Sequence, residues 1–255
     1  MHGFFADGTG WRLPLAHLER QGVRRRWVAI DLPGHGRSRA CGPNDGEGAW
    51  QWLWHCLDAV VAQLAQPPLV IGYSMGARVA ASWALAHHVD GARPRLAGLM
   101  LESGHPGLEP AEAKGRRDAD AVLAAHMATL TTDRAAAVWE AQPIFAGQRE
   151  RVLASNPQGW RMQQSQRLSQ DPVALARALR LWGTGTMPDL RACPSRPELP
   201  ALVWTGGMDV KFAALAPAWS AVLPSARLVA VPGAGHHVSL ERPQAWAEAV
   251  ARWLE

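Results

Sequence analysis

Lysine is almost missing from this chain. Of 26 basic residues only Lys114 and Lys211 are lysine. The net charge is only +4 and is scattered, with Arg24–Arg26 the one run of three. A run that short reads as a solvated turn, so no nucleic-acid partner is expected. Cysteine is scarce too. Cys41, Cys56 and Cys193 are odd in number and none stand at a CxxC spacing. That argues against a disulfide framework and a zinc site, and makes the cytoplasm the expected compartment. No uninterrupted apolar run reaches the roughly 18 residues of a spanning helix, so no membrane insertion is expected. The opening MHGFFADGTG has no basic segment leading into an apolar stretch and a small-residue cleavage site, so no secretory signal is read.

What is present is apolar bulk. Over 255 residues, 48% are hydrophobic and 19% charged, enough to bury a sizeable core and to exclude wholesale disorder. The length suits one large domain or a core with an inserted segment. The 13 tryptophans are expected in the core or lining a pocket. Short aliphatic runs, Trp27–Leu32, Leu69–Tyr73, Leu96–Glu102, Ala201–Thr205 and Arg227–Val231, read as strands. Amphipathic stretches such as Ala49–Leu64, Ala77–His87 and Pro243–Leu254 lie between and after them. The alternation predicts an α/β fold, a mainly parallel sheet with helices on both faces. From about Gly107 to Leu190 the patterns are helical without a convincing strand. We therefore expect a core of residues 1–106 and 191–255 and a helical lid over 107–190. Ligands of such sheets sit at the carboxyl ends of the strands.

Three such ends carry reactive side chains. Gly72-Tyr73-Ser74-Met75-Gly76 closes a strand and opens a helix. A serine on so sharp a turn needs small neighbours, and the helix start behind it offers free N–H groups and positive dipole. The hydroxyl needs a base. His236, in Gly233-Ala-Gly-His236 after the last strand, is preferred to its neighbour His237. Asp209, after the penultimate strand, is the carboxylate to orient that imidazole. The chain order Ser74, Asp209, His236 matches one of the three common serine triads. Backbone donors for an oxyanion would come from Met75, and from Phe4 in His2-Gly3-Phe4-Phe5. His2 is read as structural, and Asp31-Leu-Pro-Gly-His35-Gly-Arg-Ser38 as a loop beneath the site.

Three of these segments, at His2–Phe4, Asp31–Ser38 and Gly72–Gly76, resemble the α/β-hydrolase superfamily. Four more, Glu102-Ser-Gly-His-Pro-Gly-Leu108, Gln142-Pro-Ile-Phe145, Gly183-Thr-Gly-Thr-Met-Pro-Asp-Leu190 and Asp209-Val-Lys-Phe212, narrow the likeness. Together they look like the 2-succinyl-6-hydroxy-2,4-cyclohexadiene-1-carboxylate synthase family of menaquinone biosynthesis. The resemblance covers essentially the whole chain. It implies a carbon–oxygen lyase that eliminates pyruvate from a multiply anionic small-molecule substrate, with no cofactor and no metal. Ser74, activated by His236 and Asp209, would take a ring proton, and Phe4 and Met75 would hold the developing charge.

The family's substrate-binding arginines map onto Arg78, onto Arg117 or its neighbour Arg116, and onto Arg167. Tyr73 and Trp139 match pocket positions. Arg78, four residues after Ser74, falls on the same helix face, and its planar fork suits a carboxylate. The lid arginines read equally well as a solvated face, and Trp139 as lid packing. Family members carry strands before the His-Gly-Phe segment with which this sequence opens, so the sheet is expected to lack them. Two other functions use the same residues: a serine hydrolase of esters, thioesters or carbon–carbon bonds, and a non-catalytic ligand-binding relative.

Overall fold

The computed structural model describes residues 1–43, 48–87, 92–193 and 198–255. Four strands, β1 (Leu69–Tyr73), β2 (Gly98–Glu102), β3 (Ala201–Gly206) and β4 (Ala226–Val231), form one parallel sheet in the order β1-β2-β3-β4. The register runs Tyr73 to Glu102 to Trp204, so the carboxyl ends of β1, β2 and β3 lie side by side. Parallel neighbours need a crossover, and the helices supply it. In chain order these are α1 (Arg12–Arg20), α2 (Ala49–Val61), α3 (Met75–Ala86), α4 (Pro110–Met127), α5 (Thr132–Glu140), α6 (Gln148–Ser155), α7 (Pro157–Leu168), α8 (Pro172–Trp182), α9 (Val210–Leu215), α10 (Val238–Glu241) and α11 (Pro243–Leu254).

Burial explains the sequence pattern. Strands β2 and β3 are buried at every residue, which requires cover on both faces, and both read as unbroken apolar runs. One face meets α3, buried from Met75 to Leu85 with Trp83 among these residues, and Trp54 of α2 packs in the same cluster. The other meets α11 through Trp246, Ala247 and Val250, beside Trp204 and Leu202. Most of the tryptophans are core, as expected. Five of them (83, 182, 204, 219 and 246) are among the largest fully buried side chains. The 107–190 stretch holds α4 to α8 and no strand. A separate apolar cluster, with Phe5, Met127, Trp139, Phe145 and Leu179, ties it to the turn after Gly3. Among the described residues no helix is long and apolar enough to cross a membrane.

One expected strand is absent. Residues Trp27–Leu32 form no ladder. A strand needs an edge to pair with, and between this segment and β1 lies a groove of about 490 Å³ lined by Trp27, Ile30, Leu57, Leu69, Ile71 and Trp253. Met1 bridges to β1, its nitrogen donating to the Ile71 carbonyl and its carbonyl accepting from the Tyr73 N–H. Of the apolar residues here, Leu32 is buried and Trp27 and Ile30 are half-buried against the core, while Val28 is 51% exposed.

Candidate active site

The turn after β1 is forced into an unusual shape. Ser74 has φ 51° and ψ −108°, a conformation few non-glycine residues hold. A Cβ on Gly72 would come within 2.4 Å of the Gly76 carbonyl oxygen, and one on Gly76 within 2.4 Å of the Met1 carbonyl oxygen. Neither position tolerates a side chain, which is why glycines bracket the serine. Helix α3 starts at Met75, so the Met75 N–H has no intrahelical acceptor and lies at the positive end of the helix dipole. The Ser74 N–H donates to the Glu102 carbonyl, 2.8 Å away, which pins the turn to β2. Gly3 packs against this turn. A Cβ there would sit 2.6 Å from the Tyr73 ring and 3.5 Å from Ser74 Cβ, so Phe4 follows directly beside the serine.

The three widely spaced side chains meet. His236 Nε2 is 3.0 Å from Ser74 Oγ, and His236 Nδ1 is 2.6 Å from Asp209 Oδ2. Asp209 in turn caps α9, its Oδ1 accepting from the Phe212 N–H at 3.2 Å. With its Nδ1–H donating to Asp209, the imidazole turns an accepting Nε2 toward the serine hydroxyl. His236 is 1% exposed, while Ser74 is only half-buried, so the hydroxyl remains reachable. The rings of Phe212 and Phe145 flank His236 at 4.6 and 5.9 Å between centroids.

His237 points elsewhere. Its ring stacks flat on Tyr73, and burial together with the charge of His236 holds its pKa well below the ordinary histidine range. Tyr73 is itself buried, and burial raises its phenol pKa. Glu102 sits beneath the turn, wholly buried. Its Oε1 accepts from both the N–H and the hydroxyl of Ser239, and burial still pushes its pKa up to about 8. His2 and His35 form a tilted pair below Phe4, and the Leu32 N–H donates to His2 Nε2, so both take structural places as expected.

The arginines divide. Arg78 is 7% exposed, and its Nη1 donates to the Trp182 carbonyl at 3.1 Å. Burial lowers its pKa to about 10. Arg167 is buried, ion-paired with Glu140, and stands 5.6 Å from the centre of the Phe145 ring. It lines a narrow cavity with Phe4, Tyr73 and His237. Arg116 is half-buried and pairs with Asp120 at 2.8 Å. Arg117 is exposed and donates to the Gly185 carbonyl, so of the three arginines in the helical segment it is Arg167 that stands beside Phe145 and His237. Trp139 is buried against Phe4 and Phe145, at 4.6 and 5.8 Å, as packing in the cluster that joins the helical segment to the turn after Gly3.

Sequence reasoning gave no role to Phe145, Phe212, Glu102 or Glu241, all of which touch the triad or its loops. The two phenylalanines stood inside recognised segments. Glu102 carried a signal of its own, a carboxylate ending a fully apolar strand.

This serine turn, followed by an aspartate and then a histidine at later strand ends, is the arrangement of one large family. The model of the Alpha/beta hydrolase family matches residues 1–249. The chain belongs to the α/β-hydrolase family. Within it, the chain is 31% identical to the 2-succinyl-6-hydroxy-2,4-cyclohexadiene-1-carboxylate synthase of Pectobacterium atrosepticum, over 100% of this chain and 92% of the relative. It is 30% identical to the enzyme of that name from Escherichia coli O9:H4, again over 100% and 92%. Among solved structures it is similar to MenH from S. aureus, with TM-score 0.85, 28% identity, and 100% and 91% of the two chains covered. A thermophilic esterase from Thermogutta terrifontis, at TM-score 0.73 and 23% identity over 99% and 87%, shares the fold.

Proposed function

We propose that this α/β-hydrolase is a carbon–oxygen lyase of menaquinone biosynthesis. It would convert 2-succinyl-5-enolpyruvyl-6-hydroxy-3-cyclohexene-1-carboxylate into 2-succinyl-6-hydroxy-2,4-cyclohexadiene-1-carboxylate and pyruvate. The observation that carries this reading is full-length similarity to synthases of that name, helical segment included, together with an assembled Ser74–His236–Asp209 array.

In this mechanism His236 takes the Ser74 hydroxyl proton, and Asp209 stabilises the imidazolium. The Ser74 oxygen removes a proton from the ring. The C–H electron pair becomes the new ring double bond, and the C–O bond to the enolpyruvyl group breaks. The leaving group departs as the pyruvate enolate and is protonated, with His236 as the donor at hand. The Phe4 and Met75 N–H groups hold the negative charge that builds on the substrate, a contribution of about 3 kcal/mol for a well-placed donor. Arg167 and Arg78 would meet the substrate's carboxylates, and the 107–190 segment would act as the lid.

The same array serves an ester hydrolase, and the two are separated by one comparison. Purified protein is given the cyclohexene substrate and, in parallel, a chromogenic ester. Diene absorbance with pyruvate release, lost in Ser74→Ala, supports the lyase. Fast ester turnover with no diene overturns it in favour of the hydrolase. If Ser74→Ala binds the substrate as before and the parent turns over neither compound, the ligand-binding reading replaces both.

A further inference from the structure

The loop that carries His236 is held from outside the core by a single carboxylate. Glu241, the last residue of α10, is wholly buried. Its Oε2 accepts from the Gly235 N–H at 2.7 Å, and its Oε1 from the His237 N–H at 3.3 Å. These are the two amides that flank His236. Each oxygen also meets a side chain of α6, in the 107–190 segment: Arg151 Nε at 2.5 Å from Oε2, and Gln148 Nε2 at 3.5 Å from Oε1. The docking continues along the backbone. Ser155 Oγ donates to the Glu241 carbonyl at 2.7 Å, and Asn156 Nδ2 to the Leu240 carbonyl at 3.1 Å. The contact is close: a Cβ on Gly235 would lie 2.2 Å from an Arg151 guanidinium nitrogen and 3.0 Å from Glu241 Oε1, so a side chain there would have to push Arg151 aside.

We propose that Glu241 is a positioning residue for His236, and that Arg151 makes this positioning depend on α6 being seated. A buried carboxylate is tolerated when its charge is paired and its oxygens accept hydrogen bonds. Arg151 supplies the charge, and the 235 and 237 amides supply the remaining bonds. Without Arg151, Glu241 keeps its amides but loses its counter-charge in a dry site, and the loop shifts to rehydrate it, taking the imidazole off the line between Asp209 and Ser74. Asp209 orients His236 from the core side, and Glu102 holds Ser239 there, so Glu241 is the part of the support that answers to the helical segment.

This rests on the serine–histidine reading of the site, and the experiment separates the two. The full chain is labelled at Ser74 with a fluorophosphonate probe, and kcat and KM are measured on the cyclohexene substrate. The variants are Glu241→Gln, Arg151→Met, Arg151→Lys and the Glu241→Gln/Arg151→Met pair. A displacement on the order of 1 Å in such a base lowers rates by about 10- to 100-fold, so Glu241→Gln and Arg151→Met are expected to slow both labelling and kcat by that much with KM little changed. Arg151→Lys restores most of the loss. The double variant is no slower than Glu241→Gln alone, because the two residues act as one unit. Labelling and kcat within about two-fold of the parent in folded Arg151→Met overturn the proposal. That variant alters a side chain at the edge of the cluster, 19% exposed, and stands in for Glu241→Gln if the latter does not fold. If the parent itself is not labelled at Ser74, the serine–histidine reading fails and the positioning role falls with it.

Discussion

The ring of Tyr73 lies parallel to that of His237, 3.8 Å between centroids and 6° between planes, while His236 next door reaches Ser74. Adjacent histidines thus take different places, one bonded to the serine and the aspartate and one stacked as packing, and in the proposed reaction only the first is the base. Replacing His236 with Ala is expected to lower kcat by on the order of 10³-fold or more. Replacing His237 with Ala removes a stacked ring and costs stability, with kcat reduced by less than about ten-fold. Steady-state kinetics on the two variants check this. Equal losses would contradict the division.

Four histidines, the buried His2, His35 and His105 and the half-buried His237, have pKa values lowered mainly by burial of the ring, His35 to about 4 and His105 to about 3. Their unfolded forms take up protons below pH 6.5 while the folded forms stay neutral. Their contribution to stability is therefore complete above pH 6.5 and is lost as the pH falls toward 4. Glu102, raised to about 8, works the other way. Its folded form keeps a proton that the unfolded chain sheds above about 4.5, so its contribution falls as pH rises from 4.5 to 8. One group against four leaves the histidines in control below pH 6.5. Each unmatched proton is worth about 1.4 kcal/mol per pH unit, so urea unfolding should show stability dropping by several kcal/mol from pH 6.5 to 5. A flat profile there would contradict the burial of these rings as neutral groups.

Arg78 holds the Trp182 carbonyl across 104 residues of chain. Removing its guanidinium leaves that buried acceptor without a partner. Arg78→Ala is expected to lose about 1–3 kcal/mol of stability in addition to any weakening of substrate binding. Chemical denaturation measures the first and KM the second. An unchanged denaturation midpoint would free Arg78 from the structural duty assigned here.

The site was legible where local geometry demands particular residues. The glycines around Ser74 answer to backbone approaches of 2.4 Å, and that demand is visible in the pentapeptide. Asp209 and His236 were found because each follows a strand, and strand ends of a parallel sheet converge. The four strands at 69, 98, 201 and 226 were read within two residues at each end. Trp27–Leu32 misled because a short aliphatic run marks a residue composition that suits a strand, and pairing depends on a neighbour that the segment itself does not encode. Lid contacts were the least legible. Arg116, Arg117 and Arg167 look alike in sequence, and only packing sends Arg167 to Glu140 and Phe145 while Arg117 turns to Gly185. Glu241 left no local signal, because its side-chain partners lie on α6, some 90 residues earlier, and its nearer partners are backbone amides.

The central claim is that the Ser74 oxygen accepts a ring proton and forms no bond to carbon. Substrate carrying deuterium at the ring position that loses its hydrogen tests this directly. The account predicts a primary isotope effect on kcat under single-turnover conditions, with intact mass showing no adduct on Ser74. Equal rates for the two isotopologues, together with a mass increase located at Ser74, would contradict it.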